Sequence, residues 1–361
     1  MRNYNKALII VAVLVVGGGI GFVITGFASA GSIENSFNFT YEPISPDPIE
    51  DLTFNVDIGS LLFKYNTSPT ASYAKIDVNI EITGLYMAGK TYLDFFHPNT
   101  GWWDNATSTF SLLTLPDVWF DPSHWFKSYN ISIVVTLRTD VVYDLTALAS
   151  VGSIEMEVAD DVIINELSLT TSTGSVKFKT LGDNLFTGSV GLESSTGSIE
   201  SYATRTNFSS GFQASTSTGS LILNYTNCLM GDNLYGETST GSVTFKSYNM
   251  QYSTDILLNL KTSTGSINSD LYQHIIMGAN VTGTWETSTG SVNVVYRDTL
   301  VNTGFRFISS ASPGSINYSG NGTVTGSGGI YSSMNYGSAT YRYQFSLDTS
   351  TGSINAEAYS A

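Results

Sequence analysis

Cysteine and histidine are scarce in this chain, whose 361 residues include 1 cysteine and 3 histidines. Cys228 cannot form an intramolecular disulfide, so cysteine usage does not indicate a redox compartment. His97, His124 and His274 lack the spacing of a metal site. The sequence also has no Gly-x-Ser-x-Gly nucleophile elbow and no phosphate-binding loop. We therefore expect no cofactor, no metal and no catalytic residue.

Charge is also sparse, since only 12% of the residues are charged. The balance is acidic, with 30 Asp and Glu against 15 Lys and Arg and a net charge of −15. Such a surface repels phosphate, so no nucleic-acid partner is expected. Glycine is abundant, at 34 residues, and Ser, Thr and Asn fill most polar positions. This composition is typical of an all-β, turn-rich chain.

A glycine-centred motif recurs along the chain, in the form Ser-Thr-Gly-Ser followed by Val or Ile. Its glycines, including two degenerate early copies and a worn late one, are Gly59, Gly152, Gly174, Gly197, Gly219, Gly241, Gly265, Gly290, Gly314 and Gly352. From Gly152 to Gly314 the successive steps are 22, 23, 22, 22, 24, 25 and 24 residues. A fixed period of this size predicts a solenoid, in which each repeat buries its apolar face on the next.

Within one repeat, apolar residues alternate with polar ones on both sides of the glycine, which predicts two strands. The residues predicted to face inward around Gly174 are Leu167, Leu169, Thr171 and Thr173 before it, and Val176 and Phe178 after it. The same register predicts inward positions for Thr218, Thr264 and Thr351. The inward set changes from odd to even numbers across Gly174, so a bend must lie there. After Gly219 this register places Cys228 on the outward side, although a drift of the strand would bury it.

We therefore predict an all-β fold, a single-chain parallel β-helix of about ten coils with repeats of 22–25 residues. Each coil would contain two short strands and a variable return loop. At about 4.8 Å per coil the rod would be roughly 45–50 Å long, and both open ends would need caps. Hydrogen bonding and stacking explain the hydroxyl residues at the corners best, and an ordered ligand-binding or ice-like surface is the alternative.

Residues 7–30 form a run of 24 residues without charge, preceded by Arg2 and Lys6. This length spans a bilayer core, which takes about 20 apolar residues, and the basic flank predicts a cytoplasmic N-terminus. Small residues at the end of the run also fit a signal-peptide cleavage site. Residues 1–30 are therefore a membrane anchor or a cleaved signal peptide. Both alternatives place residues 31–361 outside the cytoplasm, anchored at the cell surface or secreted.

Nine Asn-x-Ser/Thr sequons agree with an exported chain, and they are candidate N-glycosylation sites only where a glycosylation system exists. They begin at Asn38, Asn66, Asn105, Asn130, Asn207, Asn224, Asn280, Asn317 and Asn321. Chance is the alternative explanation, because Asn, Ser and Thr are common in this chain.

The proline-containing residues 31–50 are predicted to be a linker, and residues 51–361 the solenoid domain. An insertion separates the first two corners. It begins and ends with alternating apolar residues that predict strands at 76–82 and 131–137. Between them, at about residues 85–126, lies an aromatic segment with four of the chain's five tryptophans.

These tryptophans form the candidate binding surface: Trp102, Trp103, Trp119 and Trp125. Exposed aromatic rings would stack on sugar rings or contact a cell-surface protein or a membrane. The interpretation we favour is an apolar lid over one end or one side of the solenoid. Carboxylates near the corners offer a separate possibility, because a pair on adjacent coils can act as glycosidase acid and base. They are Glu193, Glu200, Glu237 and Glu286, and outward charges that keep a rod soluble explain them more simply.

The repeated Ser-Thr-Gly-Ser corners, the first coil Val56-Asp57-Ile58-Gly59-Ser60-Leu61 and the strand insertion before residues 145–158 resemble the toast-rack family of adhesin-like domains. The resemblance covers about residues 51–361 and is closest to archaeal members carried behind a membrane anchor. It implies a right-handed β-solenoid of unknown function on the cell surface, with no catalytic residues. We therefore predict a non-enzymatic surface protein for adhesion, envelope structure or ligand presentation, with a glycan or cell-surface protein as partner. The alternatives are a polysaccharide-active enzyme on the same scaffold and an envelope-sensing module.

Overall fold

The computed structural model describes residues 30–43, 45–116, 127–325 and 329–360. In these residues the secondary structure is β-strand except for two short 3-10 helices, η1 (Tyr92–Asp94) and η2 (Asn99–Gly101). The strands wind into stacked coils around one continuous apolar core. The repeats predicted this architecture, and the parallel pairing of successive coils confirms it.

Two long faces meet at the corner glycines. The strands that lead to a corner form the leading face: β2 (Glu50–Ile58), β8 (Tyr143–Val151), β10 (Ile163–Thr173), β13 (Val190–Thr196), β16 (Phe212–Thr218), β19 (Leu234–Thr240), β22 (Ile256–Thr264), β24 (Val281–Thr289), β26 (Thr303–Ala311) and β30 (Tyr341–Thr351). The strands that leave a corner form the trailing face: β3 (Ser60–Asn66), β9 (Ile154–Val158), β11 (Val176–Thr180), β14 (Ile199–Thr204), β17 (Leu221–Thr226), β20 (Val243–Tyr248), β23 (Ile267–Gln273), β25 (Val292–Asp298), β27 (Ile316–Gly320) and β31 (Ile354–Tyr359).

The return segments of the middle coils contain a third set of strands. These are β12 (Asn184–Phe186), β15 (Thr206–Phe208), β18 (Leu229–Met230) and β21 (Gln251–Tyr252). They pair in parallel with one another, and the start of β10 pairs with β12 through Ile163 and Ile164. Each of these coils is therefore three-sided, whereas the sequence predicted two strands and an irregular loop. The difference arises because strands of two or three residues are too short to show an alternation.

The core is built from inward-facing side chains, which occupy every second position along the strands of each face. Phe178, Phe186, Phe208 and Phe212 are fully or almost fully buried, and successive ring centroids lie 5.3–5.6 Å apart. Full burial of such a side chain contributes roughly 1.5–3 kcal/mol. Several such residues per coil can offset the entropy lost on ordering the chain, without a disulfide.

The N-terminal end of the stack is closed by strands that do not belong to the repeats, and we call them and the loops between them the N-terminal cap. These strands are β1 (Gly31–Tyr41), β4 (Ala74–Gly84), β5 (Trp103–Asp104), β6 (Thr109–Leu112) and β7 (Lys127–Arg138). β7 continues the trailing face in parallel with β3, then β4 and β1 follow as antiparallel strands. β4 and β7 confirm the two strands predicted in the insertion. β1 differs from the predicted linker, because residues 31–41 pair along their full length with β4.

At the other end the coils do not stack in chain order. The last coil of the sequence, β30 and β31, lies between the coil of β24 and β25 and the coil of β26 and β27. β29 (Ile330–Ser332) pairs antiparallel with the outer edge of β26, and β28 (Thr323–Thr325) pairs antiparallel with β29. We call the region formed by β26 to β29 and its adjoining loops the distal end.

No helix in residues 30–43, 45–116, 127–325 and 329–360 has the length and apolarity needed to cross a membrane. The anchor or signal peptide predicted for residues 1–30 falls almost wholly outside the described residues, so it stays a prediction.

Candidate functional site

The corner glycines form one column along the solenoid. A Cβ atom on Gly152 would collide with the carbonyl oxygen of Gly59, and the same collision repeats from each corner to the next. The order in the column is Gly59, Gly152, Gly174, Gly197, Gly219, Gly241, Gly265, Gly290, Gly352 and Gly314. At Gly219, as at most corners, φ is near +147°, a backbone conformation that residues other than glycine rarely adopt. Glycine is thus required both for the bend and for the close stacking of coils.

At seven of the ten corners, a hydroxyl three residues before the glycine bonds to the neighbouring coil. Thr171 donates to the carbonyl of Gly152 at 2.8 Å, and Thr216 donates to the carbonyl of Gly197 at 2.8 Å. The same bond is made by Ser194, Thr238, Thr262, Thr287 and Thr349. These hydroxyls are buried, so each satisfies a carbonyl that would otherwise lie unpaired beside the core. Bonding between coils explains this position of the motif.

The threonine directly before the glycine points the other way. Thr173 was predicted to face inward, but it is exposed. In the pairing with the next coil, Thr171 lies opposite Ser194 and Thr173 lies opposite Thr196, whereas Ser172 has no paired residue. The chain bends at this point, so two successive side chains face solvent. Thr218, Thr264 and Thr351 are corrected in the same way. Seven adjacent coils therefore expose one Ser-Thr pair each, the first being Ser172 and Thr173.

The aromatic segment places Trp102 inside the molecule. Its side chain is 1% exposed and lies beneath β1, where its ring centroid is 4.9 Å from that of Phe37 and 5.8 Å from that of Tyr92. Its Nε1 donates to the carbonyl of His97 at 2.8 Å. Trp102 has no face available to a ligand, so it must be removed from the candidate binding surface.

Trp103 remains partly exposed. Its indole nitrogen donates to Asn105 Oδ1 at 2.6 Å, and its ring lies 5.6 Å from that of Tyr41. Trp119 and Trp125 lie outside the described residues. The structure therefore brings Trp102 and Trp103 into the N-terminal cap and does not show the four tryptophans as a row.

The four carboxylates named from the sequence do not form a pair on adjacent coils. Glu200 lies on the trailing face, where it adjoins Lys177 and Ile222. The other three lie in one outward column of the leading face, but Ser215 separates Glu193 from Glu237, and Lys261 separates Glu237 from Glu286. Lys261 also forms an ion pair with Glu286, at 3.6 Å. No two of these four carboxylates therefore lie on adjacent coils of one face, which is the arrangement that the sequence hypothesis required.

A carboxylate column that the sequence did not single out lies beside the N-terminal cap. Asp51, Asp144 and Glu166 occupy matching positions on three adjacent coils. They border an open cavity of about 380 Å³, whose wall also includes Thr107 and Ser168. Partial burial, followed by the charge of Asp144, raises the pKa of the Asp51 carboxyl. Asp51 and Asp144 belong to coils with degenerate corners, so the motif does not align them with Glu166 in the sequence.

A second acidic group is exposed at the return loops, where Asp160, Asp161 and Asp183 lie close together. Arg205 enters this group, with its Nε 2.9 Å from Asp183 and its Nη2 3.9 Å from Asp160. The chain's own guanidinium thus supplies the positive charge there.

Cys228 is buried, with 1% of its surface exposed, although the sequence register placed it outward. Cys228 lies where the chain enters the third side of its coil. The sequence did not show that the chain turns there and directs this side chain inward. Burial raises the pKa of its thiol to about 11. The thiol is therefore protonated at neutral pH, and it is unsuited to act as a nucleophile.

The nine predicted sequons differ in exposure. Asn38, Asn66, Asn105, Asn130, Asn317 and Asn321 are exposed, whereas Asn207, Asn224 and Asn280 are partly buried. The exposed six lie in the N-terminal cap, the first coil or the distal end, and the other three lie in middle coils. Glycosylation itself stays a prediction.

The distal end carries the two most exposed large apolar side chains of the described residues. Met334 is 89% exposed and Val301 is 81% exposed. Asn335 holds their loops together, because its Nδ2 donates to the carbonyls of Val301 and Thr303 at 3.1 and 3.0 Å. Sequence alternation does not predict this patch, since both residues lie in irregular loops.

The stacked glycines, the parallel ladders and the continuous core define a single-chain parallel β-solenoid with an added N-terminal cap. No family model matches the chain, and no curated protein matches it. Membership of the toast-rack family, an archaeal origin and the handedness therefore stay predictions.

Two solved structures are similar to the chain. One is a candidate cell adhesion protein from Clostridium sporogenes, at 10% identity and a TM-score of 0.24, with 90% of this chain and 99% of that chain covered. The other is a candidate adhesin from Bacteroides fragilis, at 9% identity and a TM-score of 0.27, with 90% and 96% covered. At these TM-scores the likeness does not extend to function.

Proposed function

We propose that this chain is a non-enzymatic surface protein that stands outside the cytoplasm and makes its contacts through the distal end of the solenoid. Residues 1–30 would hold it at the membrane. The partner would be a glycan or a cell-surface protein, so the role is adhesion or ligand presentation.

The observation that carries the proposal is the difference between the two ends of the stack. The end that follows residues 1–30 in the chain is closed by β1, β4 and β7 and by the buried Trp102. The opposite end exposes Val301 and Met334. A rod held at its closed end would present this apolar patch farthest from the membrane, where a partner can reach it.

The rod itself suits such a role. Corner hydroxyls such as that of Thr216 bond one coil to the next, and the backbone of each coil pairs with its neighbours on both sides. Stacked parallel ladders of this kind resist bending, because any tilt between coils breaks several hydrogen bonds at once.

The test is binding of the full-length chain, purified in detergent, to a panel of immobilised polysaccharides and isolated cell envelopes. We expect binding that falls at least tenfold when Val301 and Met334 are both changed to Ser. The control changes Ile276, another exposed apolar residue at 53% exposure, to Ser in a middle coil. Absence of binding to every surface, or an equal loss in the control, would exclude the distal end as the contact.

A second candidate function is polysaccharide cleavage at the carboxylate column, favoured by the stacked Asp51 and Asp144 and the raised pKa of the Asp51 carboxyl. A carboxylic acid with a raised pKa beside a carboxylate can serve as acid and base in glycoside hydrolysis. This function predicts release of reducing sugar that Asp51→Asn abolishes. No release across a broad set of polymers would count against it.

A further inference from the structure

Positive charge is distributed unequally between the arginines of the described residues. Arg138, Arg205 and Arg297 each pair with an aspartate, at 2.8, 2.9 and 3.1 Å. Arg306 on β26 of the distal end and Arg342 on the neighbouring β30 have no carboxylate within 4.0 Å in the part of the chain that the structure describes. In a chain with a net charge of −15, these two side chains stand out as uncompensated cations.

The two arginines meet at one tyrosine. The guanidinium carbon of Arg306 lies 4.0 Å from the centroid of the Tyr336 ring, and that of Arg342 lies 5.7 Å from it. The Tyr336 hydroxyl donates to Gln344 Oε1 at 2.7 Å, which fixes the ring. Arg342 Nε and Nη2 donate to the carbonyls of Tyr336 and Gly337 at 3.1 and 3.3 Å. The Arg342 guanidinium is therefore held by two hydrogen bonds, and the Arg306 guanidinium lies against the fixed ring.

This arrangement is electrostatically unfavourable on its own. Two like charges beside one ring repel each other, and Arg306 Nε is buried without a hydrogen-bond partner. The backbone N–H of Arg342 donates to Asn280 Oδ1, and Asn280 in turn donates to the Asp255 carboxylate, so this chain of hydrogen bonds does not involve the Arg342 side chain. An anion bound between the guanidiniums would remove the repulsion, and a carboxylate matches the planar guanidinium fork.

The surroundings favour a sugar over a peptide as the carrier of that carboxylate. β26 and β30, the strands that carry the two arginines, are each paired on both edges, so a peptide cannot extend either of them. The neighbouring exposed groups, Met334 and Val301, offer an apolar surface of the kind that covers the C–H face of a sugar ring. We propose that Arg306 and Arg342 bind the carboxylates of an acidic polysaccharide built from uronic acids. This inference rests on the proposed contact role of the distal end and specifies its ligand class.

The test is isothermal titration of the full-length chain with oligogalacturonate. We expect binding that weakens about tenfold or more with Arg306→Met or Arg342→Met, as loss of one charge-assisted contact predicts. Arg306→Lys should also weaken it, because lysine keeps the charge but lacks the fork. Arg205→Met is the matched control and should bind normally. Circular dichroism of each variant separates loss of binding from loss of fold.

Four outcomes would overturn the inference. They are no binding of oligogalacturonate by the unmodified chain, an equal loss in the Arg205→Met control, full retention in Arg306→Lys, and equal affinity for neutral dextran or dextran sulfate. A dimer that the Arg306 and Arg342 changes dissociate, seen by sedimentation, would assign the site to a second copy instead. If envelopes still bind through Val301 and Met334 while oligogalacturonate does not, the proposed function stands and only this ligand class fails.

Discussion

The stacking order at the distal end can be tested by a double-mutant cycle. Trp285 on β24 stacks on Phe345 of β30, with ring centroids 4.3 Å apart and an interplanar angle of 21°. Phe345 in turn faces Phe307 of β26, at 6.4 Å. Stacking in chain order would instead place Trp285 directly against Phe307. The inserted coil thus predicts stronger coupling of Trp285 with Phe345 than with Phe307.

The expected magnitudes follow from the burial of these rings. All three are fully buried, so truncation to Leu should destabilise the fold by a few kcal/mol each, somewhat less than the roughly 3–5 kcal/mol of truncation to Ala. A stacked aromatic pair contributes about 0.5–1.5 kcal/mol beyond its area, so Trp285→Leu with Phe345→Leu should depart from additivity by that amount. Trp285→Leu with Phe307→Leu should depart from additivity by less, because these two rings are coupled only through Phe345, their shared neighbour.

The assay is urea unfolding followed by circular dichroism, since Trp285 cannot serve as its own fluorescent probe in this series. The comparison is valid only where the transition is cooperative, which coinciding curves at two wavelengths would establish. Coupling of Trp285 with Phe307 and additivity with Phe345 would refute the inserted coil and restore stacking in chain order.

Three further predictions concern single side chains. Thr216→Val should lower the free energy of unfolding in urea by about 1–3 kcal/mol, because the Gly197 carbonyl loses its donor. Ser217→Ala, at the exposed neighbouring position, should change it by less than about 0.5 kcal/mol. Equal effects of the two substitutions would contradict the hydrogen bond between coils. Gly219→Ala should prevent soluble folding or lower the melting temperature sharply. Gly337→Ala should be tolerated, because a Cβ there meets no atom within 4 Å. The reverse result would contradict the stacked column of corner glycines. Burial raises the pKa of the Cys228 thiol to about 11, so its thiolate fraction at pH 8 is roughly one in a thousand. Iodoacetamide should therefore label Cys228 only after the chain is unfolded. Rapid labelling of the folded chain would show instead that the thiol is accessible.

Much of the repeat could be read from the sequence. The glycine spacing indicated the column, and the alternation around it placed Leu169 and Val176 inward, where they are fully buried. These features are local, because a strand's alternation and a glycine's backbone freedom act within a few residues. The same reasoning failed at Thr173, whose direction depends on how the chain bends against the next coil.

The candidate site was less predictable. Tryptophan content drew attention to the aromatic segment, yet Trp102 is buried because β1, expected to be a linker, pairs with β4 above it. Arg306 and Arg342 are 36 residues apart in the sequence. Only the pairing of β26 with β30 and the loop holding Tyr336 bring them together.

By itself, the sequence determined the coil: its length, its glycine corner and the two strands that flank it. The tertiary structure alone decided the order of the last coils and the closing of the first. The physical reason is that most corners have nearly the same backbone geometry, so the corner alone does not select which coil stacks on which. Contacts between distant side chains, such as Trp285 on Phe345, then select one arrangement.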